Sequence, residues 1–302
     1  MSNTESGTPN RATGETTSIS VPDAAFAFVQ SLAAELSSGK IDLPSFPDIA
    51  LRVRQVLADD NVTPEKVVRV VSAEPALAAR LLQVANSAAF NFSGKSVTDL
   101  RTAVARLGFN MVRSAAIAFA MSQLKKVDAL KGLEVPLDEL WHRSATVAAM
   151  SYVVARRLTG VNPDTALLAG LLQGVGELYI LTRAKAHPEL FADPPAYHQI
   201  VRDWHSSIAK AVLENWEMAD DVVAAVSEFE DFEREHDGDP DLTDVLTVAF
   251  LLVTYQEHPE TIELNMQGVG ACRRMHLDRP AYEKLIAESA DEVAAMQQAL
   301  GR

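Results

Sequence analysis

Cysteine occurs once in the 302 residues, as Cys272. A single thiol excludes an internal disulfide, a cysteine-built zinc site and a redox pair within one chain, which fits a reducing cytoplasm as the expected location. Cations are also scarce: 27 Lys and Arg stand against 41 Asp and Glu, a formal net charge of −14. Such a field repels phosphate backbones and anionic lipid surfaces, so neither direct nucleic-acid binding nor a membrane role is expected. The adjacent pairs Lys125–Lys126 and Arg156–Arg157 read as solvated helix faces. No uninterrupted apolar run approaches the roughly 18 residues of a spanning helix. The opening MSNTESGTPNRATGETTSIS lacks the charged-then-apolar layout of a signal peptide. It also holds almost no large apolar side chains, so residues 1–20 bury too little to offset their ordering entropy and are expected to form a disordered tail.

What remains has the balance of a folded globular protein, with 48% hydrophobic and 23% charged residues. From Val21 onward the apolar spacing is helical almost everywhere, and the fold class is all α. Ile49, Val53, Val56 and Leu57 form one stripe after Pro47, and Leu100, Val104 and Leu107 form another, closed by Gly108 in an expected left-handed conformation. Thr63-Pro64 and Asn162-Pro163-Asp164 are helix-start signals, a capping oxygen followed by proline in the first turn. Lys131, Gly132 and Pro136 interrupt the pattern and place a boundary between an N-terminal helical subdomain, 21–130, and a C-terminal one, 136–302. A second break, EFEDFEREHDGDPD from Glu228 to Asp241, is expected to be a solvated loop or frayed helix end; its acids lack calcium-loop spacing. No internal repeat appears, which excludes a solenoid. Val248–Val253 and the helix near Ala281–Leu300 suit either core or an interface.

The segments LPSFPDIALRVRQVL, SAEPALAARLLQVANSAAF and SVTDLRTAVARLGFNMVRSAAIAFA resemble the N-terminal half of an HDOD domain, with its landmarks at Pro44, Pro47, Glu74-Pro75, Asn86-Ser87 and Leu107-Gly108. Asn86 and Ser87 suit the backbone groups orphaned at a helix end better than a ligand. From Leu140 the chain is similar to the half of the family related to HD phosphohydrolases, and the likeness spans about 41–253. The resemblance implies a multi-helix fold, a subdomain packed on a degenerate HD-like one, and a role in bacterial signal transduction.

In the hydrolytic relatives, a histidine, a His-Asp pair and a later aspartate converge on one or two metal ions, which activate a water against phosphate. Aligned on that pattern, Arg143 in LWHRSATVAAM takes the first histidine's place, Gln173 and Gly174 the His-Asp pair's, and Phe250 the later aspartate's. A guanidinium has no lone pair to donate, glutamine is a weak neutral ligand, and neither glycine nor a phenyl ring coordinates. No metal or cofactor is therefore expected. A further histidine pair of many relatives aligns near Phe229 and Glu230, while His205 and Trp216 remain in DWHSSIAKAVLENW. His205 reads as a hydrogen-bonded packing residue. Gly170, Gly174 and Gly176 read as packing positions, since no strand precedes them to make a dinucleotide loop. Cys272 reads as an ordinary thiol without a catalytic partner.

Three functions stay open. The first is a non-enzymatic regulator or scaffold that acts through contacts with an unidentified signalling protein; with no receiver or output domain in the sequence, it is expected to work through its own surfaces. The second is a sensor holding a nucleotide or other small anion in the former cleft, with His142, Arg143, Gln173 and His205 as candidate contacts. Arg143 suits bidentate phosphate binding, but a neighbouring carboxylate is the expected partner. The third is a metal phosphohydrolase with rearranged ligands, His142, His205 and Asp203.

Overall fold

A computed structural model of the protein describes residues 21–39, 48–59, 61–91, 93–124, 130–256, 266 and 268–300. Residues 1–20, Pro44, Pro47 and Lys125–Lys126 lie outside the described residues. Within them there is no β-strand. The chain runs through α1 (Val21–Ser38), α2 (Asp48–Leu57), α3 (Pro64–Ser72), α4 (Pro75–Asn86) and α5 (Leu100–Leu124), then α6 (Glu134–Leu158), α7 (Pro163–Leu172) and α8 (Val175–Ala184). A 3-10 turn (Pro188–Ala192) leads to α9 (Pro194–Asn215), α10 (Asp220–Glu228), α11 (Leu242–Tyr255), α12 (Gly270–Arg274) and α13 (Arg279–Leu300).

The helix starts fall where capping chemistry places them. The Thr63 hydroxyl accepts from the Lys66 amide at 3.4 Å, and Asn162 accepts from the amides of Asp164 and Thr165 at 2.9 and 3.2 Å. Pro64 and Pro163 occupy first-turn positions that need no donor. Asn86 staples a helix end: its amide donates to the carbonyls of Leu82 and Val97, and its oxygen accepts from Val97 at 2.7 Å. Gly108 does adopt φ +75°, but α5 kinks there and resumes rather than ending. A new buried stripe, Met111, Val112, Ala115 and Ala116, makes the continuation worthwhile.

The molecule is organised around α6. Every residue from Ser144 to Ala155 is buried, because α7, α11 and α13 surround it. Close approach to α7 depends on Gly170, where a methyl group would lie 2.5 Å from the Ala148 Cα. Val248, Ala249, Leu251 and Leu252 are core, and so are Tyr282, Leu285, Met296 and Leu300, which resolves the two apolar stretches in favour of packing. The apolar stretch Pro163–Ala184, long enough to cross a membrane, is 83% buried and divided between α7 and α8.

Two features of the structure bear on the expected boundary, which falls between α5 and α6. Gly132 turns at φ +95°, yet α6 begins at Glu134, so Pro136 sits in a helical first turn, where its missing N–H costs nothing. The two halves are also interleaved in space. α1 packs on the 3-10 turn and α9, and α13 packs on α4, α5 and α6, so one hydrophobic core runs from Ala24 to Leu300.

Candidate functional site

A cavity of about 230 Å³ opens where α6, α8, α9 and α11 converge; Arg143, Gln173, Glu177, His205, Glu230 and Phe250 lie on its walls, together with Arg202. The structure therefore brings three of the four positions of the expected degenerate centre to one place. Gly174 serves differently: it precedes α8, and a Cβ there would lie 2.8 Å from Leu140 Cδ1 and 2.9 Å from Ser144 Oγ. Gly176 is tighter still, since a Cβ would fall 1.9 Å from the His205 carbonyl oxygen.

Arg143, Gln173 and His205 each have an internal partner in the cleft. Arg143 donates to the Glu177 carboxylate. The Gln173 amide donates to Ser144 Oγ at 3.2 Å. His205 Nε2 lies 2.8 Å from Glu230, with its ring edge-on to Phe229 at 6.4 Å. Phe229 in turn meets Phe250 edge-to-face at 5.0 Å, and its carbonyl accepts from Thr247 Oγ1 at 2.8 Å. Burial, reinforced by the Glu177 charge, pushes the Tyr197 phenol well above its ordinary value.

Tested as a metal site, this arrangement does not fit. Arg143 and Phe250 offer no lone pair, and Glu177 and Glu230 are already engaged, one by a guanidinium and the other by His205. His142 belongs outside the cleft. It is exposed on α6 and its ring meets Thr146 Oγ1 on its own helix at 3.3 Å, because one residue before Arg143 is about 100° around the axis. Asp203 accepts from Gln199 at 2.7 Å and does not line the cavity either. The sequence pattern singles out neither Glu177 nor Arg202, while Glu230, aligned with a further histidine of the relatives, does line the cavity. Helical spacing was the available signal for Arg202, which precedes His205 by three residues on α9, whereas Glu177 is separated from Gln173 by the turn between α7 and α8.

The loop from Glu228 to Asp241 is not simply solvated. Asp241 caps α11 in a reciprocal box with Asp244, and Asp244 is 1% exposed. The Asp244 carboxylate takes Arg274 Nε at 2.9 Å and Nη2 at 2.5 Å, His236 Nε2 at 2.9 Å and Arg234 Nη1 at 3.4 Å. Burial opposes its ionisation, but the hydrogen bonds from Arg274 and His236 outweigh it and hold the carboxyl below the usual range. The hydrogen bond to Asp244 raises the His236 pKa. His236, Asp241 and Asp244 bring ligand-type atoms within 4.8 Å of one another. Arg234 and Arg274 bind those same carboxylates, two positive charges against two negative, so the cluster is an internally neutralised network and not a cation site.

Nearby, Cys272 is buried, which pushes its thiol up to about 12. It lines a pocket of about 470 Å³ with Met266, Leu277 and Tyr282, under Arg273 and Arg279, each of which holds a carboxylate of its own, Glu235 and Glu283.

The HDOD domain model matches residues 43–232, more than half of the chain, and the protein belongs to the HDOD family. The match stops short of Phe250, Asp244 and Cys272. A Shewanella amazonensis protein described as a candidate metal-dependent phosphohydrolase is 26% identical, with a TM-score of 0.76 over 92% of this chain and 99% of that one. An HDOD domain protein of unknown function from Geobacter sulfurreducens shares the fold at 21% identity and a TM-score of 0.61, over 89% and 96% of the two chains. An uncharacterized protein of Treponema pallidum is 24% identical over 212 residues; the match takes in 65% of this chain and 39% of that protein, so the chain spans about two fifths of its curated relative.

Proposed function

We propose that the protein is a non-hydrolytic regulator of bacterial signal transduction, acting in the cytoplasm through contacts with other proteins, its cleft a vestige of a phosphohydrolase centre. One observation carries this reading: Arg143 stands in a cleft lined by Gln173 and Phe250, and its charge is spent on Glu177. A cation at the centre of a metal site repels the metal it replaces, and a neighbouring carboxylate bound to it is lost as a ligand.

The experiment is elemental analysis of the purified protein, followed by hydrolysis assays on bis-p-nitrophenyl phosphate and cyclic dinucleotides with Mn²⁺, Mg²⁺, Fe²⁺ or Ni²⁺. The expected result is substoichiometric metal and no turnover above buffer. Turnover that disappears in an Arg143→Ala, Gln173→Ala double variant would overturn the reading.

A second reading, a sensor of small phosphorylated ligands, rests on Arg202. It lines the same cavity, and its recorded contact is to neutral Gln199 Oε1 at 2.6 Å, which leaves its charge available to an anion. Thermal-shift titration with nucleoside phosphates separates the two: a shift lost in Arg202→Ala favours the sensor, and no shift favours the contact-mediated regulator.

A further inference from the structure

α1 is attached unlike the other helices. It lies outside the span matched by the family, and its main packing is on the 3-10 turn and α9, not on α2–α5 beside it in sequence. It is held by one face: Ala24, Phe28 and Leu32 at steps of four, exposed by only 2%, 2% and 1%, flanked by half-buried Ala25, Val29 and Leu36. Phe28 meets the His187 ring at 5.4 Å, while Phe26, turned away from the stripe, is 66% exposed. Beyond the stripe, Glu35 accepts from the Tyr179 hydroxyl and pairs with Arg183 Nε at 3.3 Å; the Arg183 guanidinium stands 5.1 Å over the Tyr179 ring. The surface under α1 thus reads a pattern: apolar groups at i, i+4 and i+8, then an acid at i+11 that meets a buried phenol and an arginine.

We propose that α8, the 3-10 turn and α9 form a helix-binding groove, that α1 is its resident occupant, and that the partner it fits is an amphipathic helix of another protein carrying this apolar and acidic spacing. A terminal helix docked by one face opens at a lower cost than the core it rests on. While tethered, it competes at millimolar effective concentration, so only a helix of matching pattern and sufficient affinity displaces it. The inference extends the regulator reading by naming the kind of partner. It rests on the contacts of α1, and its readouts are indifferent to whether the cleft hydrolyses anything, so each proposal can fail alone.

Hydrogen exchange on the full, unaltered chain decides first. Amides of α1 are expected to exchange about 100-fold faster than those of α8 and α9, as a separately opening unit. Exchange of α1 as slow as that of the buried α6 amides would overturn the proposal. A labelled peptide of residues 21–38 is then titrated into the full chain and into its Phe28→Ala, Leu32→Ala variant. The variant is expected to bind about 10-fold tighter, because its own α1 competes less, and a peptide carrying Glu35→Ala is expected to bind more weakly than the unaltered peptide. No gain in the variant, outright unfolding of the variant, or equal binding of the two peptides counts against the groove.

Discussion

Two clusters of charge in this protein look alike on paper and are built on different terms. The cleft at Arg143 encloses volume, and its ion pair is half open to water: the Arg143 side chain is 42% exposed and that of Glu177 is 30%. The Asp244 network leaves its central carboxylate 2% exposed, under Arg274 at 12% and Arg234 at 23%. A pair in high dielectric can be lost with little consequence, whereas a desolvated one cannot lose a member without stranding the rest. The cleft is therefore the electrostatically relaxed region, and the tightly specified network lies past residue 232, beyond the family match.

The largest effect is expected from Asp244→Asn, which removes the buried charge at the centre of the network and leaves Arg274 facing a neutral amide; the loss is about 3–5 kcal/mol in chemical denaturation. A loss below about 1 kcal/mol would erase the contrast with the cleft. Gly176→Ala comes next. Its new methyl would sit 1.9 Å from the backbone oxygen of His205, and about 3 kcal/mol is the expected cost of forcing the two helices apart. By contrast, Arg143→Met is expected to change stability by about 1 kcal/mol or less in the same denaturation series.

The pH dependence sharpens the comparison further. The His236 pKa is raised in the folded protein, so its stabilising contribution is complete below the ordinary histidine value of about 6.5 and is lost as pH rises through the elevated one. Asp244 works in the opposite sense: its contribution is present above the ordinary carboxylate value of about 3.9 and is lost as pH falls through the depressed one. His236→Gln is expected to flatten the stability profile above about pH 6.5 while leaving the acid limb intact, checked by thermal melts across pH. The smallest effect is kinetic. With its pKa pushed up to about 12 and its side chain buried, native Cys272 is expected to react with a disulfide reagent at pH 8 far more slowly than in denaturant.

Local rules explain what was legible beforehand. Thr63-Pro64 and Asn162-Pro163 announce helices because the capping oxygen and the missing donor act within three residues. The cleft was legible in part, since Arg143, Gln173 and Phe250, singled out by the resemblance, do line one cavity. Its partners were not: Glu177 and Glu230 become meaningful only once α8 and the loop after α10 are folded against α6 and α9. The run from Glu228 to Asp241 is the expected loop between two helices, but its ion-pair partners were not legible because they are scattered, with Arg274 thirty residues from Asp244. His142 was grouped with the cleft by proximity in sequence, where a helix separates neighbours by a third of a turn.

Gly176 carries one more implication. Where only a hydrogen atom stands between α8 and the main chain of α9, the two helices have no room to slide independently. Tyr179 and Arg183 face α1 from the same helix that sends Glu177 into the cleft. Any rearrangement at one surface of this welded pair is therefore delivered to the other as a rigid displacement, a mechanical link between two faces of the molecule that share no side chain.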